Sequence, residues 1–241
     1  MQSGSANALA GTTDHSFLYI DQIRVDRSFQ HRVSVSRTFR LQLRLKRLFD
    51  IVVSGFLLVF ISPVLITALL LIRISSPGPS IFSQRRWGHN ERQFRMFKIR
   101  TMYVDQAAKL GREQSDVEKR KGILLKMKDD PRVTPIGAFL RRSSIDELPQ
   151  LFNVLIGDMS IVGPRPLMIH MMEPFPEIRA VRSVVRPGLT GLWQIRNRAN
   201  NTSVTDMIAD DTEYIANIGL LLDLRILLAT PWELIRGTGA H

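Results

Sequence analysis

Residues Ile51 to Ile72 form a run of 22 consecutive residues without a charge, IVVSGFLLVFISPVLITALLLI, between Asp50 and Arg73. This run constrains the fold more than any other feature. At ~1.5 Å per residue a helix of that length reaches roughly 33 Å, against a bilayer hydrocarbon core of ~30 Å. Helices buried in soluble cores usually stop short of about 18 uncharged residues, so contact with a membrane is expected. Ser62-Pro63 sits in the middle of the run. Proline removes a backbone donor and presses on the preceding turn, which predicts a sharp bend at the deepest point. The Ser62 hydroxyl is placed to cover a carbonyl that the proline frees. Basic residues flank both ends, Arg44, Lys46 and Arg47 before the run and Arg73, Arg85 and Arg86 after it. A spanning helix shows its positive excess on one side only. Both ends therefore read as cytoplasmic, and a kinked helix that dips into one leaflet and returns is favoured over one that spans.

The balance of 33 Lys and Arg against 22 Asp and Glu, a net charge of +11, calls for anionic company. Nucleic acid, an acidic membrane face and a phosphorylated substrate all satisfy it. The absence of cysteine excludes disulfides, thiolate zinc sites, iron–sulfur clusters and cysteine nucleophiles. The 241 residues are enough for one substantial core. Residues 1–42 read as a flexible basic leader without a secretory signal pattern. Residues 43–75 are then the membrane helix and 76–241 the cytoplasmic part of one domain. Phe94 to Met102 reads as a strand with Lys98 and Arg100 on one face. Lys109 to Lys121 reads as an exposed helix or loop, Thr134-Pro135 opens a short helix through Arg142, and Asp146 to Leu155 suggests another. Asp223 and Arg225 interrupt the last apolar run, Ile218 to Thr230, which favours a surface-lying or packed helix over a span. The expected fold class is α+β: a small, mostly helical cytoplasmic domain with a short sheet, on a re-entrant membrane helix and surface-lying amphipathic helices.

Gly-rich dinucleotide loops, phosphate loops and metalloprotease and serine-hydrolase motifs are absent, and the five histidines are scattered, which leaves carboxylates to carry chemistry. Two adjacent arginines, Arg141-Arg142, precede two adjacent acids, Asp146-Glu147. One reading is a capping box, with Ser144 as N-cap and Glu147 three residues on. The other starts the helix nearer Asp146, so that Pro149 falls in the first turn, where no donor is needed. In that case Asp146 sits among free N–H groups, is expected to stay ionised, and lies beside a place for phosphate oxygens. Successive helical residues point ~100° apart, so Asp146 and Glu147 suit separate tasks: one attacks or holds a metal while the other handles protons. A dication such as Mg²⁺, bound by a carboxylate and substrate phosphates, would complete a phosphoryl-transfer site. Further along, Arg165 stands between Pro164 and Pro166, which hold it extended and suit it to phosphate recognition. The glycine-rich turn Arg186 to Gln194 is weak evidence alone.

In this order the segments resemble the bacterial sugar transferases, the monotopic phosphoglycosyl transferases that begin exopolysaccharide, O-antigen and related glycan assembly. The resemblance runs from about Leu45 to Thr230. It is carried by Lys46-Arg47-Leu48-Phe49-Asp50, Ser62-Pro63, Pro77-Gly78-Pro79, Gln84 to Gly88, Phe97-Lys98-Ile99-Arg100-Thr101-Met102, Asp146 to Val154, Gly157-Asp158-Met159-Ser160 and Gly163-Pro164-Arg165-Pro166. It implies an enzyme on the cytoplasmic face of the bacterial inner membrane. Such an enzyme moves a sugar phosphate from a nucleotide sugar, usually a UDP-sugar, to undecaprenyl phosphate and releases the nucleoside monophosphate. By the same resemblance Asp146 is the nucleophile that forms a covalent phosphosugar intermediate with Mg²⁺ present, and Asp146 is the metal's protein ligand. Glu147 would assist the metal or the acceptor. Arg141 and Arg165 match positions near substrate phosphates, and Lys98, Arg100 and Arg198 lie in matching motifs and join them as substrate-binding candidates. Ser62 and Pro63 match the family's bend in its re-entrant helix.

The chain departs from the family pattern after Trp193-Gln194-Ile195, where Arg196-Asn197-Arg198 replaces the usual Ser-Gly-Arg, and at Ile218-Gly219, where the usual tryptophan is missing. Larger members carry extra spanning helices ahead of this core, so the resemblance implies a minimal form. The competing reading is a membrane-peripheral basic module that binds nucleic acid or anionic lipid through Arg85, Arg86, Trp87, Phe94, Arg95, Phe97, Lys98 and Arg100. On the enzyme reading the partners are a UDP-sugar, undecaprenyl phosphate and membrane lipid, with no nucleic acid. The identity of the sugar and association into a homo-oligomer are left open.

Overall fold

The computed structural model describes residues 37–104, 130–173, 175–197 and 204–235. The leader up to residue 36, the Lys109–Lys121 stretch and Arg198 lie outside them. The apolar run falls within one helix, α1 (Arg37–Ser75), which begins inside the stretch read as leader and continues across Pro63 as one element. The proline's cost is met locally. Ser62 Oγ donates to Val59 O at 2.8 Å, and Val59 holds the carbonyl four residues back that Pro63 has no N–H to reach. Thr67 Oγ1 donates to Pro63 O at 2.8 Å. Among the described residues α1 is the one helix long and apolar enough to cross a membrane. Only 11% of its most apolar window is covered by protein, so it is no core helix of a soluble domain. Phe56, Val59 and Phe60 at its middle are exposed.

Both ends of α1 are fastened to the rest of the chain. At the first end Lys46 Nζ pairs with Asp223 at 2.6 Å, and Arg47 donates to the carbonyls of Val154 and Leu155 at 2.6 and 2.8 Å. Asp50 there accepts from Ser160 Oγ at 3.1 Å and from the Ile161 N–H at 3.0 Å. At the other end Ala68 and Ile72 pack with Ile99 and Leu140 in one buried cluster.

An antiparallel hairpin follows, β1 (Ile81–Trp87) with β2 (Gln93–Ile99), in a register running from Ile81 opposite Ile99 to Trp87 opposite Gln93. The strand expected over 94–102 thus stops at Ile99, because Arg100 turns its guanidinium onto the carbonyls of Ser76 and Pro77 and Thr101 O accepts the Thr134 N–H. Met102 keeps only an isolated bridge, to Val133.

Helix α2 (Pro135–Arg142) forms as expected, with Thr134 as N-cap accepting from the Gly137 N–H at 2.9 Å. The next expected helix divides in two: a 3₁₀ turn over Ile145–Glu147, then α3 (Gln150–Ile156) with Pro149 at its N-cap. Ser144 adopts the left-handed conformation (φ 56°) and makes no capping bond, so the capping box does not form. Gly157, at φ 98°, ends α3.

A two-stranded parallel ribbon joins β3 (Ser160–Val162) to β4 (Gly188–Thr190), and the connection carries α4 (Ile169–Met172) and α5 (Pro176–Arg182). The backbones approach so closely that a Cβ on Gly188 would lie 2.1 Å from Gly163 N. The rest is helical: α6 (Leu192–Asn197), α7 (Val204–Ala216) and α8 (Leu220–Ile235). One core joins Phe39, Val154, Ile161, Val162, Tyr214 and Ile226 with the hairpin's Phe94 and Met96. On α8, Asp223 is buried and also accepts the Tyr214 hydroxyl at 2.7 Å, while Leu221, Leu224, Leu228 and Trp232 are exposed.

Candidate active site

The Asp146-Glu147 pair sits in the 3₁₀ turn between α2 and α3, packed against β2 and α2. Asp146 is only 8% exposed. Burial is the largest influence on its carboxyl and pushes the pKa up to about 6; Lys98 pulls it down, Glu147 pushes it up and Arg141 pulls it down. The expectation of an ionised carboxylate stands at neutral pH, while the helix start expected to support it is a 3₁₀ turn. A three-residue 3₁₀ turn has little dipole to offer, and desolvation outweighs it. The side chain remains mostly charged at neutral pH, but poorly solvated.

Glu147 accepts Lys98 Nζ at 2.8 Å, both groups being 23% exposed. Lys98 thus neutralises one acid of the pair directly and lowers the pKa of the other through space. Arg141 Nε donates to Thr101 Oγ1 at 2.8 Å, and its charge acts on Asp146 and on Asp130. Thr101 itself is held against α2, where a Cβ on Gly137 would fall 2.2 Å from Thr101 O, so only glycine permits this approach. Asp130 is paired with Arg132, which keeps its carboxyl below the usual range. Beneath the turn Asn153 is fully buried, donating to Arg95 O at 2.8 Å and accepting the Phe97 N–H at 3.0 Å. This side-chain amide covers the β2 edge that β1 leaves unpaired.

The structure therefore brings together Lys98, Arg141, Asp146 and Glu147. Arg100 does not share the face of Lys98: it is 6% exposed and bonded to Ser76 and Pro77 carbonyls, where it secures the turn out of α1. Arg165 belongs to another set of contacts, with its guanidinium over the Trp193 ring, 5.3 Å from the centroid. The sequence reading missed Thr101, Asn153 and the Asp130–Arg132 pair. The first two lie inside quoted motifs, and only the fold shows what they hold.

No group of three or more metal-binding side chains occurs among the described residues. The donor chemistry suits a hard dication that takes Asp146 and completes its shell from substrate phosphates, because Glu147 is engaged by Lys98. An all-protein cage does not fit. Of the basic face in the competing reading, Arg85 and Arg95 are exposed and Trp87, Phe97 and Lys98 partly so. Arg86, Phe94 and Arg100 are buried, and Arg86 donates to Pro166 O and to Gln84.

The family model for bacterial sugar transferases matches residues 41–237. The chain is 44% identical over 163 residues to a galactosyl transferase, CpsE, of Streptococcus agalactiae, covering 68% of this chain and 36% of that protein. It is 41% identical over 211 residues to the exopolysaccharide production protein PSS of Rhizobium leguminosarum, covering 83% of this chain and 100% of the relative. With the UDP-glucose:undecaprenyl-phosphate glucose-1-phosphate transferase of Caulobacter vibrioides it shares 39% identity over 204 residues, 81% of this chain and 72% of the relative. The chain thus spans about a third of the streptococcal protein and all of the rhizobial one.

Proposed function

The chain belongs to the bacterial sugar transferases, and from that premise we propose that it moves a sugar 1-phosphate from a UDP-sugar to undecaprenyl phosphate, releasing UMP, as the first membrane step of exopolysaccharide assembly. The observation that carries this reading is Asp146, a buried carboxyl gathered in one turn with Glu147 and its partner Lys98 and facing the charge of Arg141. An Asp146 carboxylate oxygen attacks the phosphorus that bears the sugar. One oxygen–phosphorus bond forms, the bond to the UMP phosphate oxygen breaks, and UMP leaves with the electron pair. An oxygen of undecaprenyl phosphate then attacks the same phosphorus and expels Asp146 as a carboxylate, which regenerates the enzyme. Lys98 and Arg141 offset the charge of the donor diphosphate, and Glu147 keeps Lys98 in place. Mg²⁺ held by Asp146 and the phosphates would add further neutralisation of the diphosphate.

The same reading places the protein on the cytoplasmic face of the inner membrane, with α1 dipping into one leaflet. In support, the domain grips α1 at Lys46 to Asp50 and again at Ala68 and Ile72, and between them lies the exposed stretch around Phe56 to Phe60. A helix that crossed would carry its second grip, and the polar domain with it, toward the far side. The stripe Leu221, Leu224, Leu228 and Trp232 on α8 suits a helix lying at the lipid surface. The acceptor's phosphate waits at headgroup level, so a shallow anchor shortens the search for it.

UMP release from a panel of UDP-sugars, with undecaprenyl phosphate and Mg²⁺, tests the activity; silence across the panel from folded protein contradicts it. A pH prediction follows from Asp146. The free enzyme must deprotonate it before attack, so kcat/KM should fall about tenfold per pH unit below about 6 and level off above. An acid limb near 4 would mean that burial does not govern this carboxyl. Placing negative charge on the lipid stripe, Leu224→Asp with Leu228→Asp, should lower co-sedimentation with anionic vesicles while leaving the melting temperature within a few degrees. Unchanged co-sedimentation would remove α8 from the membrane surface.

A further inference from the structure

Arg165 stands between two prolines, and its own backbone is held by a buried ion pair brought from two distant helices. Arg182, on α5, donates through Nη2 to Arg165 O at 2.6 Å. The same guanidinium is oriented by Asp211, on α7, which accepts from Nε at 3.0 Å and from Nη2, while Nη1 rests on Met172 Sδ at 3.4 Å. Arg182 is 8% exposed and Asp211 1%. Burial pushes the Asp211 carboxyl up while Arg182 pulls it down, and Asp211 Oδ1 closes no hydrogen bond. The loop is also tied one residue earlier, where Gly188 N–H donates to Pro164 O at 2.8 Å. Arg165, Arg179 and Arg182 line one cleft with Trp87, Gly88 and Pro164.

A buried ion pair is an expensive way to fill a core, since apolar residues of similar volume often do it as well or better. What apolar residues cannot do is hold a carbonyl. With φ at Pro164 and Pro166 fixed by their rings, a grip on the Arg165 carbonyl leaves this residue little freedom except in its side chain. That side chain lies over Trp193, at the wall of the cleft.

We propose that Arg182 and Asp211 are positioning residues for the sugar transfer, clamping the Arg165 backbone so that its guanidinium meets the donor phosphates ready-set. This rests on the proposed function, and on Arg165 as a phosphate contact. Pre-set geometry spares the ordering of a long side chain on binding, so its loss reads out in donor use rather than in folding.

The test is a mutant cycle on the full chain in detergent, with UDP-glucose and UDP-galactose run side by side and melting temperature measured throughout. Replacing both partners at once, Arg182→Met with Asp211→Leu, avoids leaving a lone buried charge. The expected result is a folded enzyme with kcat/KM for the donor down about tenfold or more. In an Arg165→Ala background the same double replacement should cost less than about twofold, because the residue it acts through is gone. A full additional tenfold loss there, or no loss in the Arg165 background of the natural chain, overturns the clamp. Should the apolar pair fail to fold, Arg182→Met with Asp211→Asn in both backgrounds makes the same comparison, again without a lone buried charge. If Arg165→Ala alone leaves kcat/KM unchanged, the phosphate role of Arg165 fails and the clamp fails with it. No turnover by the unaltered enzyme is the separate failure of the activity itself.

Discussion

Asp146→Asn is expected to remove transfer altogether, by on the order of 10⁴-fold or more in UMP release, while the protein stays folded and bound to membranes. The substitution preserves shape and takes away only the charge and the nucleophilic oxygen pair. Its effect on stability should run the other way. Burial raises the folded pKa of Asp146 to about 6 from the ordinary 3.8, so the folded state holds its proton more tightly than the unfolded one. Stability from this group is therefore full below about pH 4 and is lost as pH rises toward 6, leaving a buried charge as a cost at neutrality. The amide removes that cost, and the variant should be as stable as the natural chain at pH 7 or more stable by on the order of 1–3 kcal/mol. Activity gone with stability kept or raised marks a site whose chemistry opposes its folding. A basic binding module predicts the opposite pattern, with function intact.

The second large effect is expected at Asn153, which touches no substrate. Its amide does for β2 what a third strand would do, donating to Arg95 O and accepting from the Phe97 N–H. Asn153→Leu keeps the volume and abandons both backbone groups. Each stranded group costs about 1–3 kcal/mol, so a loss of roughly 2–5 kcal/mol is expected, a large part of a typical domain's stability. A fall in melting temperature of about 10 °C, read by circular dichroism, is the corresponding measurement. Asn153 is on α3, just past the acids, and Lys98 follows Phe97 on β2, so the variant should also loosen the Lys98–Glu147 contact. A melting temperature within a degree or two of the natural chain would show that water replaces the amide at this edge.

What could be read in advance followed local rules. A run free of charge marks the membrane helix from its own composition, and the Ser62-Pro63 pair already implies which carbonyl needs a donor. Thr134-Pro135 announces α2 because capping and proline geometry are settled within a few residues. The misses are tertiary. Strand periodicity alone puts Arg100 beside Lys98, but β2 ends at Ile99 because two carbonyls after α1 claim the guanidinium. The strand β1 went unread because most of its residues are exposed and show no apolar alternation. The pKa of Asp146 depends on cover from β2 and α2, which its neighbours in sequence do not reveal. Pro149 did signal a boundary, yet the outcome is a 3₁₀ turn ahead of α3, with Ser144 left-handed before it.

The central claim is that Asp146 takes the phosphosugar covalently before any lipid acceptor arrives. Intact-protein mass spectrometry after mixing with donor alone, followed by peptide mapping, tests this most directly. The account predicts a mass gain of one sugar phosphate, located on Asp146 and discharged by undecaprenyl phosphate. UMP release that requires the acceptor, from protein that never gains that mass, would contradict it.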